Sequence, residues 1–439
     1  MAKVVVVGGG VAGLSAAFAS SRHGAQTTLV ESSKKIGLSK TLMPFLISAE
    51  RSEDEVFLPE AGSLAKAGVE VRTGETVTSV AYRDRKIKVD PSSSAGRGGS
   101  IGYDSLVICT GAAGQVPQLR GLTKPNVFVL TGLADYLKLA AGLAPLQSVV
   151  LSGPVPLALK LGEILAKRGI QVQIYCGKDG LARQFSPTFA GAIRRQISAR
   201  SKEDGVLLVD DSIDSILGID RAEAVVSSGS VRTCDGVVLI PRSVPSFPAV
   251  DCEKGRNGGL LVDSSMSTSL PGVFAAGDSV ELRFKSGSVP ARLYSTSRMC
   301  GEVAGTNAAG GRAFASPSWA AEQVYFGLEF CSAGLTEEEA RAMELDAATE
   351  ATGTGVACSE PGRETFVSMV YDRETRQVYG LQVAGWRASS LSGAVSLIVS
   401  LGLTVEQLLH VESPYLPGSG FDLSPISLTA RKIVGPEGA

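Results

Sequence analysis

Histidine is nearly absent, charge of either sign is not in excess, and no long apolar run is present. Only two histidines occur in 439 residues, which argues against a histidine-rich metal site, and no metal is expected. Lys+Arg number 42 and Asp+Glu 44, for a net charge of −2. No broad basic face follows, so neither nucleic-acid binding by phosphate neutralisation nor a polybasic membrane contact is expected. The most apolar stretch near the C-terminus, Leu391 to Leu403, is interrupted by Ser and Gly. It is too short to span a bilayer, so no transmembrane segment is expected. The N-terminus passes from Met1-Ala2-Lys3 straight into a strand-like run, without an apolar leader and small-residue cleavage site. None of the seven cysteines is paired at C-x-x-C spacing. Free thiols in a reducing compartment, and hence a cytoplasmic protein, are expected.

Glycine is abundant, at 51 residues, and its placement carries the first signal. Val4-Val5-Val6-Val7 reads as a buried parallel strand. It runs into Gly8-Gly9-Gly10-Val11-Ala12-Gly13, then a helix-like Leu14 to Ala19, then Thr27-Thr28-Leu29-Val30 ending at Glu31. Strand, glycine turn, helix, strand and acid form the dinucleotide-binding fingerprint. Gly8 permits the tight turn, Gly10 lets a pyrophosphate approach the backbone, and Gly13 lets helix and strand pack closely. Glu31 can accept hydrogen bonds from adenosine ribose hydroxyls. The second signal is Thr268 to Asp278, which ends Ala275-Ala276-Gly277-Asp278. An aspartate after a strand-end glycine can take a flavin ribityl hydroxyl. A helix over Ala291 to Ala304 would point its positive end at the flavin.

Elsewhere, residues 69–90 alternate apolar and polar, as antiparallel strands in a small meander do. Residues 92–100 read as a flexible hairpin tip, and Leu106 to Gly111 as a buried strand ending in glycine. A second βαβ-like unit starts at Val149, with a helix from about Leu157 to Arg168 and a strand Val172 to Tyr175. From about residue 315 strands (Phe366 to Tyr371, Val378 to Val383) mix with helices (Thr336 to Leu345, Ser389 to Leu401, Thr404 to Leu409).

With these motifs the chain resembles the pyridine nucleotide–disulfide oxidoreductases, in their NADH oxidase and coenzyme A–disulfide reductase branch. Further likenesses are Thr110-Gly111-Ala112 with Pro117, Phe326 to Glu329, Ala333 to Thr336, Ser413-Pro414-Tyr415 and Asp422. The resemblance implies an α/β fold of two Rossmann-like dinucleotide-binding domains plus a C-terminal α+β dimerisation domain. Expected bounds are 1–115 with 242–314 for the FAD domain, 116–241 for the NAD(P)-type domain and 315–439 for dimerisation. It also implies FAD, NAD(P)H as reductant, a homodimer, and a small-molecule or protein electron acceptor. Cofactor contacts are assigned to Gly8, Gly10, Val11, Ala12, Gly13, Glu31, Val77, Thr110, Gly111, Gly277 and Asp278. Thr41, Lys40 and Tyr415 are the candidate catalytic residues.

Two departures from the family matter. The family's redox cysteine lies ten residues after the ribose acid, and that position here is Thr41. A threonine hydroxyl forms neither a thiolate nor a disulfide. In the second glycine loop, Gly153-Pro154-Val155-Pro156-Leu157-Ala158, Val155 replaces the close-approach glycine and two prolines remove N–H donors. The acid expected after the next strand is replaced near Cys176, and an acidic helix position becomes Lys160. Two lost charged-group hydrogen bonds weaken binding on the order of 10²–10⁴-fold. Lys160, Lys178 and Arg183 remain able to attract a phosphate. Arg22, followed by His23, falls where coenzyme A-using relatives place phosphate-binding basic residues. The expected function is a flavin-dependent oxidoreductase that passes electrons to its acceptor without the family's cysteine. Two alternatives stay open: reduction of disulfide, coenzyme A-disulfide or sulfur through another thiol such as Cys109 or Cys300, and an electron-transfer or structural flavoprotein subunit without NAD(P)H turnover.

Overall fold

A computed structural model describes residues 1–94, 96–178, 180–353, 364–412 and 424–435. Ser413, Pro414, Tyr415, Asp422 and Cys358 lie outside the described residues. The chain divides into two compact units, Met1–Gln115 with Ser243–Pro317, and Val116–Arg242 with Ser318–Ala439.

The first unit is built on a five-stranded parallel sheet. Its order is Val273–Ala275, Ser105–Ile108, Lys3–Val7, Gln26–Glu31, Glu70–Thr73. Val4 to Val7 sit at its centre and are almost fully buried, as a β-branched run covered on both faces should be. The helix Val11–Arg22 follows the glycine turn and buries Ala12, Leu14, Ala16, Ala17 and Ala19. Its alanines, Ala12 and Ala16 above all, let the helix Tyr294–Ala308 come very close. A Cβ on Gly301 would sit 2.2 Å from the carbonyl oxygen of Ala12, and one on Gly305 2.1 Å from that of Ala16.

Residues 69–90 only partly follow the expected meander. Glu70–Thr73 extends the parallel sheet beside Gln26–Glu31. The meander proper is Glu75–Ala81, Lys86–Pro91 and Gly99–Gly102. Alternation marks one buried face but does not distinguish a parallel edge from an antiparallel partner. The expected hairpin tip likewise ends in a strand, since Gly99 and Ser100 pair with Val89 and Lys88.

The second unit contains a second five-stranded parallel sheet, ordered Val206–Val209, Gln171–Tyr175, Ser148–Ser152, Gly236–Leu239, Val127–Val129. Its crossover helix is Val155–Lys167, two residues earlier than expected, with Pro156 in the first turn where a missing N–H is tolerated. The same unit holds an antiparallel sheet, Ala321–Tyr325, Leu328–Gly334, Val378–Gly385, Thr365–Asp372 and Ala347–Gly353 in spatial order. A core of Cys331, Val367, Met369, Leu381, Val383, Val395 and Ile426 lies against it. The helix expected over Ser389 to Leu401 is a 3₁₀ turn, Ala388–Leu391, followed by Ser392–Ser400. That expected over Thr404 to Leu409 is the 3₁₀ turn Glu406–Leu408. Among the described residues no helix is long and apolar enough to cross a membrane.

A solvent-facing glycine-to-alanine change in a helix gains up to about 1 kcal/mol from propensity. Gly301→Ala and Gly305→Ala should instead each lose about 1–3 kcal/mol, because the added methyl strikes a carbonyl oxygen in a packed interior. Thermal unfolding of the holoprotein should show the midpoint falling in both variants.

Candidate active site

The three motif glycines do three different jobs. Gly8 has φ of +101°, and a Cβ there would lie 2.4 Å from the Cys109 carbonyl oxygen. A Cβ on Gly13 would lie 1.8 Å from the Gly8 oxygen, so that glycine sets the helix against the turn. A Cβ on Gly10 would meet nothing within 4 Å. The space above Gly10 is an open cradle at the N-cap of Val11–Arg22, and no side chain caps that helix end. Uncapped N–H groups at a helix N-terminus bind phosphate. Glu31 closes the cradle's far side: its carboxylate accepts the Gly9 N–H at 2.7 Å and the Ser33 N–H at 2.7 Å. The acid at the strand end is thereby held beside the glycine turn, in position for a ribose.

The second motif forms the adjoining wall. Gly277 has φ of +78°, and a Cβ there would sit 2.9 Å from the Ala12 Cβ. The turn Gly277–Ser279 thus lies against the first turn of the glycine-loop helix. Burial raises the Asp278 carboxyl above its usual range, while Lys40, Ser297 and Arg292 oppose that rise. The Ser297 hydroxyl donates to Asp278 Oδ1 at 3.4 Å.

A cavity of about 180 Å³ is lined by Gly10, Ala12, Lys40, Thr41, Thr110 and Asp278, among others. Val11, Gly111 and Gly277 also line it. Lys40 opens the 3₁₀ turn Lys40–Leu46, and its ammonium donates to the Ala112 carbonyl at 2.7 Å. The Thr41 and Ser39 hydroxyls are hydrogen bonded at 2.9 Å. Most of the sequence-derived contacts therefore converge on one place. Val77 does not line this cavity; it is buried in the strand Glu75–Ala81 opposite Val89. Tyr415 lies outside the described residues. Sequence reasoning missed Arg292, Tyr294 and Ser297, which line the same cavity. Their signal was positional, at the start of the helix after Asp278; it begins at Tyr294 rather than Ala291. An open cradle over an uncapped helix end, an acid at the ribose position and an aspartate at the ribityl position fit FAD.

Beside this cavity, a groove of about 310 Å³ runs along the same helix, lined by Phe18, Arg22, Leu58, Tyr294, Arg298 and Glu302, among others. The Arg22 guanidinium lies over the Phe18 ring, 5.9 Å from its centroid.

The six described thiols, Cys109, Cys176, Cys234, Cys252, Cys300 and Cys331, are all buried and free. Burial pushes the thiol of Cys300 up to about 12, and likewise that of Cys331. Cys109 lines the cavity, but burial, reinforced by Cys300, raises its thiol further still.

The second glycine loop differs from the first. A Cβ on Gly153 would lie 2.5 Å from that of Ile240, so this glycine keeps its turn role. Val155 opens the crossover helix, and its side chain is buried. The N–H groups of Leu157 and Ala158 both donate to the Pro154 carbonyl, at 3.1 and 2.9 Å. Cys176 stands at the end of Gln171–Tyr175, its thiol pushed up to about 12 by burial. Lys160 reaches Glu163 at 3.4 Å rather than standing free.

The family model for pyridine nucleotide-disulphide oxidoreductases matches residues 2–296, and that for the family's dimerisation domain matches residues 320–419. A CoA-dependent NAD(P)H sulfur oxidoreductase of Pyrococcus furiosus is 24% identical, covering 98% of each chain. An NADH oxidase of Methanocaldococcus jannaschii is 25% identical, again covering 98% of each. Among solved structures, an NAD-dependent persulfide reductase from A. fulgidus shares the fold with a TM-score of 0.85 at 24% identity, covering 98% of this chain and 83% of that one. The chain belongs to the pyridine nucleotide-disulphide oxidoreductase family, as an FAD-dependent oxidoreductase that dimerises through its C-terminal domain.

Proposed function

We propose that this oxidoreductase passes electrons directly between its flavin and an acceptor, with no thiol relay. The acceptor is dioxygen, a quinone or a redox protein. The observation that carries the reading is Thr41: it lines the flavin cavity beside Lys40, where relatives place a cysteine. The six described thiols do not replace it, because they are buried and a neutral thiol is a poor nucleophile. When bound, the flavin supplies one- and two-electron chemistry. The chain's own groups position it. Gly8 to Gly13 hold the pyrophosphate, Glu31 the adenosine ribose and Asp278 the ribityl chain. Lys40 and Arg292 bring positive charge to the mouth of the cavity, which favours a reduced, anionic flavin. Thr41 supplies a hydroxyl, already oriented by Ser39, on the acceptor side. We keep the division 1–115 with 242–314, 116–241 and 315–439 as the functional parts, and place the protein in the cytoplasm, where free thiols persist.

Replacing all seven cysteines by serine or alanine, in combinations that fold, should leave flavin turnover with dioxygen or a quinone within about twofold of wild type. Loss of turnover in a folded, flavin-bound variant would sink the direct route. Gly10→Val should fold normally, since its Cβ meets no protein atom, yet purify without flavin. Circular dichroism and visible absorbance separate the two effects.

The buried thiols also set an alkaline limit. Cys300 binds its proton more tightly folded, at about 12 against 9.0 unperturbed, so the folded state holds more protons than the unfolded one above pH ~9. That contribution to stability is complete below this value and declines as pH climbs through the window between the two. Denaturant midpoints should fall from pH ~9 upward, and by less in a Cys300→Ala variant.

A further inference from the structure

We propose that the second dinucleotide fold is closed to pyridine dinucleotides, and that Val155 is the residue that closes it. The two loops of this chain supply their own comparison. In the first, the close-approach position is Gly10, and the space a Cβ would enter is open. In the second, that position is Val155, with only 7% of its surface exposed. Its side chain is directed across the crevice. The Val155 Cγ2 lies 3.5 Å from where a Cβ on Gly180 would be, and the Cys176 Cβ lies 3.4 Å from the same point. Val155 thus stands close to Gly180 in the segment after the strand Gln171–Tyr175 and takes up space at its own position. In a dinucleotide fold that gap is where the pyrophosphate and adenosine ribose sit.

The donors are withdrawn as well. Pro154 and Pro156 carry no N–H, and that of Leu157 donates to the Pro154 carbonyl at 3.1 Å; the Ala158 bond to the same carbonyl has its counterpart in Leu14 to Gly10 and does not distinguish the loops. The ribose side offers no charge at Cys176, a buried neutral thiol. Among the described acids nearby, Asp210 pairs with Arg194, and Asp211 accepts the Ser227 hydroxyl at 2.6 Å; neither stands at the strand end that Cys176 follows. Loss of space, donors and acid at one site points the same way. Direct passage from flavin to acceptor does not depend on this point.

The holoprotein is titrated anaerobically with NADH and with NADPH while the flavin's visible absorbance is followed. ADP-ribose binding is measured by equilibrium dialysis to about 1 mM, the top of the usual KM range. Wild type should show neither bleaching nor saturable binding. Val155→Gly alone should gain measurable ADP-ribose binding, and Pro154→Gly/Val155→Gly/Pro156→Ala should tighten it by at least about tenfold. Prompt bleaching by either nucleotide, or saturable wild-type binding, would overturn the closure. No gain in either variant, with flavin retained, would overturn the assignment to Val155; where the variants lose flavin, the wild-type titrations decide. Photochemical reduction of the same holoprotein, followed by reoxidation with dioxygen or a quinone, tests the direct flavin route separately, and its failure would count against that route alone.

Discussion

Glycines press the backbone of the helix Val11–Arg22 on two sides, and the flavin unit depends on that contact. Gly13 brings the helix onto the turn at Gly8, while Gly301 and Gly305 bring a second helix onto the oxygens of Ala12 and Ala16. No side chain can be inserted at any of these points without moving backbone. The consequence reaches the chemistry in two steps. Close packing fixes where the uncapped first turn of the helix lies over the sheet edge. It also leaves room for the Gly277 turn against Ala12, which delivers Asp278 to the same cavity. Backbone contact in the interior therefore sets the spacing between the Gly10 turn and Asp278.

The second nucleotide fold separates packing from binding. Its crossover helix still lies tightly on the sheet, since a Cβ on Gly162 would come 2.5 Å from the Ile174 side chain. Gly153 still turns against Ile240. The parallel sheet keeps its register at every strand pair. What differs is the binding edge, where valine and two prolines stand and the strand ends in a neutral thiol. Residues that hold a Rossmann fold together are not the ones that hold its ligand. The fold alone therefore says nothing of whether this crevice is used.

Local patterns made the parallel sheets legible. A β-branched run, a glycine turn and a small-residue helix lie within thirty-one residues and specify one another. The placement of Glu31 and Asp278 was legible for the same reason, each standing at a fixed offset from a strand end. Other features depend on contacts distant in sequence. Glu70–Thr73 joins the parallel sheet because Gln26–Glu31 has an open edge there, which alternation cannot reveal. Arg292 and Tyr294, just before and at the start of the helix that Gly301 packs on Ala12, line the cavity through contacts distant in sequence. The loop at Val155 showed a missing glycine, but not that the valine would pack towards Cys176 and Gly180.

The thiols show how burial changes the meaning of composition. Seven cysteines in a relative of disulfide reductases suggest redox equipment, yet a thiol acts as a nucleophile only as its thiolate. Each described cysteine sits where desolvation favours the neutral form. Charge at the active site comes instead from Lys40 and Arg292, set against an Asp278 that burial makes reluctant to ionise. On the direct route we propose, these groups act on the flavin's own charge, and none of the described thiols stores electrons between donor and acceptor. The acceptor on that route is selected by what can approach the flavin cavity beside Lys40 and Thr41, which both line it.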